Sequence, residues 1–351
     1  MGLPVLTERQ HFPVIANLVV GVRTAQNFIA DKIAPGIDTN GAPEYEYDLT
    51  DNSAMVAPKP EEASRGLRGE TTSILQPEEA TKKGTVKEWA RKAEIDINEI
   101  EADRARDRAY PVPVGRMTNE ERRYKRLAAK LYFNLKVLKE QSAASKVFAL
   151  LKYDVTLRDP NPANFKGDAS IIKLMLSKIR AVSRKWGVKP DTLLLGWDTL
   201  LNLFDNAAIL DRVTGGASVA NPADIDLALL AKLFRIPQVV CGEAVIQTLA
   251  LPGAAGVPTD IWKPNGCALI HTGITGIDED GDAEFDDADE STPAFVKRFF
   301  KNVPEELGGG PLTLQAYNSL NNKIRYLEAT EYWKHEQTSQ AGFYWDNTNA
   351  A

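Results

Sequence analysis

The sequence is poor in the residues that build disulfide frameworks and zinc sites. Its 351 residues include two cysteines and three histidines. Cys241 and Cys267 occur in short apolar stretches, which predicts two small buried hydrophobic side chains and no disulfide bridge. His11, His271 and His335 are far apart, and none has a second ligand at zinc-site spacing. We therefore expect no metal centre built from these residues.

Long apolar runs are missing as well. No stretch of about 18 apolar residues occurs, so we expect no membrane-spanning helix and no membrane partner. Residues 1–8 lack the basic start and apolar core of a secretion signal. These two features predict assembly in the cytoplasm.

A basic excess is also missing. The chain has 42 Lys and Arg against 48 Asp and Glu, which gives a formal net charge of −6. Proteins whose main task is to bind nucleic acid usually carry the opposite balance, because they must neutralise phosphates. A mildly acidic chain is better suited to forming a wall around DNA than to reading DNA.

Catalytic and phosphate-binding motifs are lacking too. The sequence has no Gly-x-Ser-x-Gly elbow and no Gly-x-x-x-x-Gly-Lys-Ser/Thr loop. Gly215-Gly216 and Gly308–Gly310 lack the preceding strand and following helix of a phosphate cradle. We therefore assign no catalytic residue, no cofactor-binding residue and no cofactor.

An acidic stretch covers residues 278–290. Asp278, Asp280 and Asp282, together with Gly281, resemble part of a calcium loop, but the register of an EF-hand would place Gly276 at the first acidic position. The EF-hand match therefore fails. A looser surface calcium site and a solvated acidic loop both remain open.

Two segments near the N-terminus alternate between apolar and polar residues, as half-buried strands do. They cover residues 44–49 and 92–97, and a polar stretch with proline and glycine follows the first of them over residues 50–70. A structureless loop of that length is unusual inside a compact domain. We therefore predict an extended hairpin over residues 44–97 that contacts a neighbouring subunit.

A long helix is predicted over residues 118–151. Thr118 and Glu121 have the spacing of a capping box, and the helix would contain roughly 30 residues, or about 45 Å. We call it the spine helix. Seven of its residues form a basic face: Arg122, Arg123, Lys125, Arg126, Lys130, Lys136 and Lys139. This face could contact DNA, but we favour solvent exposure or pairing with the acidic residues of the preceding segment: Glu94, Asp96, Glu99, Glu101 and Asp103.

The middle third predicts a mixture of helices and short strands. Ile171–Trp186 is amphipathic, and Gly187 is placed to end it in the left-handed conformation. The further predicted elements are a strand over Leu193–Leu195, a short helix capped by Asp198 and ending at Phe204, a helix starting at Asn221-Pro222, and strands over 238–241 and 266–271. Strand patterns return over residues 294–300 and 323–333.

Several apolar stretches carry a family resemblance. In the middle block these are Leu193–Trp197, Asp224–Phe234, Pro237–Val240, Ile261-Trp262 and Gly266–Ile270. In this order they look like the axial domain of the major capsid proteins of tailed bacteriophages, which have the Johnson fold. Tyr326–Trp345 is similar to the closing peripheral strands of that family. The resemblance covers nearly the whole chain as an order of segments.

This resemblance implies an α+β chain with the Johnson fold. The implied parts are an N-terminal arm (1–43), an extended β-hairpin loop (44–97), a peripheral domain (98–169) with the spine helix (118–151), an axial α/β domain (170–277) and a return to the peripheral domain (278–351).

The function that the resemblance implies is that of a major capsid protein, located in the virion. Copies would assemble into pentamers and hexamers that enclose double-stranded DNA without reading its sequence. A portal and a decoration protein are further expected partners. A separate scaffolding protein is expected because the sequence begins without a long helical segment, unless this sequence is already that of the matured form. Two alternatives stay open: an encapsulin-like shell around protein cargo, and an α/β enzyme with an unrecognised site.

Overall fold

The structure is a computed structural model that describes most of the chain. The described residues are 10–11, 27–49, 80–113, 116–151, 158–159, 163–214, 226–248, 257–277, 283–285, 293–302, 312–319 and 323–349. The helices in these ranges are α1 (Ala30–Ile33), α2 (Ile97–Ala109), α3 (Asn119–Leu151), α4 (Ile171–Trp186), α5 (Trp197–Phe204), α6 (Ala207–Thr214) and α7 (Leu227–Phe234).

The strands are distributed over the same ranges. They are β1 (Gln10–His11), β2 (Gly36–Asp38), β3 (Glu44–Leu49), β4 (Ala80–Thr85), β5 (Lys87–Asp96), β6 (Arg158–Asp159), β7 (Thr192–Gly196), β8 (Gln238–Gly242), β9 (Val245–Thr248), β10 (Val257–Asp260), β11 (Cys267–Ile270), β12 (Ile274–Ile277), β13 (Ala283–Phe285), β14 (Val296–Phe300), β15 (Leu312–Asn318), β16 (Ile324–Gln337) and β17 (Gly342–Trp345). The expected α+β class is confirmed.

The spine helix is α3, and its predicted start is confirmed. The backbone N–H of Thr118 donates to Glu121 Oε2 at 2.8 Å, and the N–H of Glu121 donates to Thr118 Oγ1 at 3.1 Å. This reciprocal capping box satisfies two backbone donors that the first turn of a helix leaves without an intrahelical partner. Its 33 residues extend about 50 Å at 1.5 Å per residue.

One side of the spine helix packs on a six-stranded sheet. The long strand β16 pairs antiparallel with β5, β14 and β15, while β2 adds parallel to β14 and β1 adds to β15. The buried apolar residues of this layer come from the helix (Tyr124, Ala128, Leu131, Tyr132, Leu135), from α2 (Ile100) and from the strands (Ile95, Leu312, Leu314, Ala316, Leu327, Ala329). We call this layer the peripheral layer.

The hairpin predicted over residues 44–97 is wrong in its pairing. Strand β3 forms as expected, but it pairs with β4, from Glu44 opposite Thr85 to Leu49 opposite Ala80. Strand β5, which contains the second alternating segment, pairs instead with β16 over ten positions. Its residues Ala93 and Ile95 pack into the peripheral layer, and this burial fixes where β5 pairs. Residues 50–79 lie outside the described part of the chain.

The middle of the chain forms an α/β block around a five-stranded sheet of order β6-β17-β11-β7-β8. Strands β7 and β8 run parallel, and β11 pairs antiparallel with β7. Every residue of β7, β8 and β11 is buried. A continuous apolar run is the pattern expected of a strand that is covered on both faces, and the helices α4 and α7 contribute the apolar residues that cover the sheet.

The helix ends in this block agree only in part with the sequence predictions. Gly187 ends α4 with φ of 70°, as predicted. The prediction that Asp198 caps α5 is wrong, because Gly196 holds the cap position and Asp198 lies in the first turn. A side chain at position 196 would come within 2.1 Å of the carbonyl oxygen of Lys263. Glycine is therefore required there for close backbone contact.

The start of α7 also differs from the prediction. Asp226 caps this helix by accepting a hydrogen bond from the N–H of Leu229 at 2.6 Å. The predicted start at Asn221-Pro222 lies outside the described residues. Both asparagine and aspartate are good cap residues, so local sequence did not distinguish the two positions.

The C-terminal strands serve both sheets. Strand β16 belongs to the peripheral layer, whereas β17 pairs with β11 from Cys267 opposite Trp345 to Ile270 opposite Gly342. The likeness of Tyr326–Trp345 to closing peripheral strands therefore fails for β17. This pairing crosses the predicted division at residue 278, while the domain limits themselves stay predictions.

Candidate functional site

The two cysteines lie on either side of β7, in β8 and β11, and both are buried free thiols. Burial raises the pKa of the Cys241 thiol, to which the nearby Glu243 adds, and burial alone raises that of Cys267. A thiol held in its protonated form is a poor nucleophile and a poor metal ligand. The prediction that both act as small hydrophobic side chains is confirmed.

His271 belongs to the turn that joins β11 of the α/β sheet to β12. Its Nδ1 lies 2.9 Å from Asp191 Oδ2, and Asp191 also accepts the backbone N–H groups of Thr272 and Gly273, each at 2.8 Å. Burial raises the pKa of Asp191, but His271 and the Thr272 donors outweigh it and bring that pKa below its usual value. The ionised carboxylate thus fixes the end of β11 against the start of β7.

His335 is fully buried in β16. Its Nδ1 lies 3.1 Å from Ser142 Oγ of the spine helix. Burial, together with the positive charges of Arg298, Lys139 and Lys146, lowers the pKa of His335 to about 3. The imidazole is therefore neutral at physiological pH. The side chain of His11 lies outside the described part, and the described side chains contain no group of three or more metal-ligating residues.

A set of charged side chains joins the second half of the spine helix to β14 and β16. Lys139 pairs with Glu331 at 3.4 Å, and Lys146 pairs with Glu336 at 2.9 Å. Arg298, which faces His335 across the β14–β16 pair, binds Asp31. We call Lys139, Lys146, Arg298, Glu331, His335 and Glu336 the charged joint.

Sequence analysis missed the charged joint. Even numbers of positions separate four residues of β16: Leu327, Ala329, Glu331 and His335. Their side chains therefore lie on the same face of the strand. This register would have placed them against the helix. The partners on α3 could not be found in that way, because only packing shows which turn of the helix lies opposite.

The basic face of the spine helix is partly explained by pairing. Arg123 binds both Asp103, at 2.6 Å from its Nε, and Glu99, and Arg104 of α2 binds Glu120 at 2.7 Å. The prediction of pairing with the acidic segment is confirmed for Arg123. Three other cations, Arg122, Arg126 and Lys130, are exposed.

Several exposed surfaces could contact neighbouring copies. Trp197 and Leu201 lie one turn apart on α5 and are 46% and 44% exposed. All four residues of β10 are exposed, and its partner in the two-stranded sheet is β9. Apolar side chains that are grouped at the surface often mark interaction sites.

Other sequence candidates lie outside the described residues. These are the acidic residues of the candidate calcium loop (Asp278, Asp280, Asp282) and the glycine pairs and triplets (Gly215, Gly216, Gly308–Gly310). The calcium alternative therefore stays open. None of the described helices is long and apolar enough to cross a membrane.

Comparison with solved structures decides the fold. No family model and no curated protein matches the sequence. The structure is similar to that of a phage-related protein from Bordetella bronchiseptica RB50, with a TM-score of 0.62, 13% identity, and 98% of this chain and 99% of the other covered. It is also similar to a prophage protein from Escherichia coli CFT073 described as a capsid protein, with a TM-score of 0.51, 10% identity, and 97% and 100% of the two chains covered.

The chain has the phage capsid (Johnson) fold. This confirms the fold expected from the order of segments. A weaker likeness links the chain to an encapsulin complex from Synechococcus elongatus PCC 7942, with a TM-score of 0.42, 10% identity and 95% of each chain covered.

Proposed function

We propose that the protein is the major capsid protein of a tailed bacteriophage and that its copies form an icosahedral shell around double-stranded DNA. The observation that carries the proposal is the fold likeness over 98% of this chain and 99% of the phage-related protein.

The two-stranded hairpins support contacts between copies. The β3–β4 hairpin and the β9–β10 hairpin each form a two-stranded sheet of their own. Tyr45 and Tyr47 of β3 already pack on Phe299 of the peripheral layer. A two-stranded hairpin alone is marginally stable in water, so a further surface against β9–β10 would stabilise it. When one patch of a copy binds a different patch of the next, the contacts close into rings if the rotation allows. Pentamers and hexamers are the rings that this proposal requires.

The proposed relation to DNA is enclosure. The net charge of −6 is low for a protein that must neutralise phosphates. The shell would hold the genome by surrounding it, and assembly would require a portal and a separate scaffolding protein, with a decoration protein as a further outer partner. The site of action is the virion, after assembly in the host cytoplasm.

The proposal includes no catalytic step. Two buried titratable residues that would attract attention in an enzyme, Asp191 and His335, are engaged in contacts between strands or between a helix and a strand. Their altered pKa values follow from these structural contacts.

Assembly of the purified full-length chain tests the proposal. We expect size-exclusion chromatography and negative-stain electron microscopy to show rings or uniform closed shells, alone or with a co-expressed scaffolding protein. The double variant Trp197→Ser/Leu201→Ser tests one exposed surface, and Tyr110→Ser, at a more exposed aromatic residue of another surface, is its control. Uniform monomers of the wild-type chain under every condition, including with scaffold, would overturn the proposal.

The contents of the shells separate phage from compartment. Nucleic acid of a defined length inside shells made during infection supports the phage capsid. Shells that contain one enzyme as protein cargo, and no genome, would support the encapsulin-like alternative. A chain that stays monomeric and binds a metabolite would support the enzyme alternative.

A further inference from the structure

Glu140 stands out among the buried groups because it touches three parts of the chain. It is fully buried near the middle of the spine helix. Its Oε1 accepts the backbone N–H of Ala30 at 2.6 Å, and its Oε2 accepts the indole N–H of Trp262 at 2.7 Å. One carboxyl group thus binds residues that lie 110 positions before it and 122 positions after it.

The segment that Glu140 holds is short, and its buried residues are apolar. We call residues 27–34 the clasped segment; it contains the four-residue helix α1. Ile29, Ala30, Ile33 and Ala34 are buried and belong to the same apolar core as Leu193 and the other residues of the α/β sheet. Helices this short are not stable alone, so the position of the segment depends on its tertiary contacts.

Trp262 is held as firmly on its own side. The indole is buried, it packs edge-on against Phe148 of the spine helix at 5.8 Å between ring centroids, and it lies over Gly242 at the end of β8. A shift of Glu140 would therefore change contacts both in the clasped segment and at the edge of the α/β sheet.

We propose that Glu140 is a conformational clasp between the clasped segment, the spine helix and the Trp262 turn, and that ionisation of its carboxyl group weakens the clasp. The carboxyl group is far from water, and a buried charge is unfavourable unless its partners compensate for the lost hydration. The two N–H donors compensate only in part. An open state that returns the carboxylate to water becomes more favourable once the group is charged.

The charges around Glu140 come from every element packed there. They are Lys136 and Lys139 of the spine helix, Glu331 of β16, Arg298 of β14, and Asp31 and Lys32 of the clasped segment. Lys139 pairs with Glu331, and Arg298 pairs with Asp31, so much of this charge is already matched. Trp262 contributes a neutral donor.

The direction of the pH effect follows from linkage. Burial raises the pKa of Glu140 from 4.5 to about 7, against the opposing hydrogen bonds from Ala30 and Trp262. The closed state therefore binds a proton more tightly than the open state, whose carboxyl group is in water. The proton stabilises the closed state fully at pH values below the pKa that Glu140 has in the open state. This stabilisation is lost as the pH rises through the pKa that Glu140 has in the closed state. The opening constant should rise about 40-fold from pH 5 to pH 7 and level off above about pH 8.

Hydrogen exchange of the full-length, unassembled chain tests the clasp. Protection of residues 29–34, corrected for intrinsic exchange rates, should fall about 40-fold between pH 5 and pH 7 and level off above about pH 8. The variant Glu140→Gln carries no charge and should give a flat profile. Glu101→Gln, an exposed carboxylate on α2, is the matched control and should keep the wild-type profile. Residues 192–196 of the sheet are the internal reference and should not follow the transition.

A second variant keeps the test decisive if Glu140→Gln does not fold. Trp262→Phe removes one donor to the carboxylate while keeping an aromatic ring, so the pH at which protection levels off should move upward. A purely structural role of Trp262 would lower protection without moving that pH. Corrected protection that does not change between pH 5 and pH 7 in the wild type, or a Glu140→Gln variant that retains the change, would overturn the proposal. Both outcomes are independent of whether shells form.

Discussion

In the α/β block, β7, β8 and β11 are covered mostly by apolar side chains. The contact between the spine helix and β16 instead buries the charged groups of Lys139 and Glu331 and the neutral imidazole of His335. Apolar side chains stabilise the fold by any close contact, roughly in proportion to the apolar area that is buried. Buried charges stabilise the fold only when each charge has its partner in place. The two regions should therefore respond differently to the same kind of substitution.

The largest expected effect comes from breaking one ion pair of the charged joint. Lys139→Met leaves the buried carboxylate of Glu331 without its partner and should lower the free energy of unfolding by about 4 kcal/mol. The double variant Lys139→Met/Glu331→Leu removes both charges and should lie within about 1 kcal/mol of the wild type. Urea denaturation at pH 7 measures both. A single variant no less stable than the double variant would contradict the distinction.

The apolar block should lose stability by cavity formation. Leu195→Ala, at a fully buried position of β7, is expected to cost about 3 kcal/mol in the free energy of unfolding. Leu201→Ala, on the exposed side of α5, is the matched control and should cost less than about 1 kcal/mol. Equal losses for the two variants in urea denaturation would show that the block is not packed as described.

The charged joint should also respond to acid. His335 has a folded-state pKa of about 3 against an unfolded value of 6.5, so its contribution to stability is present above pH 6.5 and is lost as the pH falls towards 3. Between pH 7 and pH 5 the wild type should lose about 2 kcal/mol relative to the variant His335→Gln.

The variant His335→Gln is needed for comparison because the titration of Glu140 changes the free energy of unfolding in the opposite direction over nearly the same pH range. Urea denaturation of both proteins at the two pH values isolates the histidine. An equal pH dependence of wild type and variant would rule out a buried neutral His335.

The smallest expected effect concerns the start of the spine helix. Thr118→Ala removes the side-chain acceptor of the capping box and should cost about 1 kcal/mol in the free energy of unfolding. Ser145→Ala, at an exposed position near the other end of the same helix, serves as the control and should cost less than about 0.5 kcal/mol. A difference near zero would mean that the first turn of the helix does not depend on its cap.

Two helix ends that depend on residues within one helical turn were predicted correctly. The capping box at Thr118 and Glu121 placed the start of the spine helix, and Gly187 placed the end of α4, because both effects act within one helical turn. The order of segments also gave the fold. The cap of α5 was missed because the glycine there responds to the backbone of Lys263, which is distant in sequence.

Strand pairing was the main failure. Alternation in residues 44–49 and 92–97 indicated two strands correctly, but their partners are β4 and β16. Alternation reports which side of a strand is buried and carries no information on the neighbour across the ladder. The charged joint was missed for a related reason, since its partners come from a helix and two strands that only the packed structure brings together.

The sequence by itself determined the α+β class, the spine helix, the buried strands of the α/β block and the lack of a recognisable catalytic motif, because these depend on local spacing and composition. Tertiary structure decided which strands pair, that β17 crosses into the second sheet, and that Glu140 lies between Ala30 and Trp262. Such contacts join residues that are distant in sequence, by 110 and 122 positions in the case of Glu140. Their energy depends on burial, which no local pattern encodes.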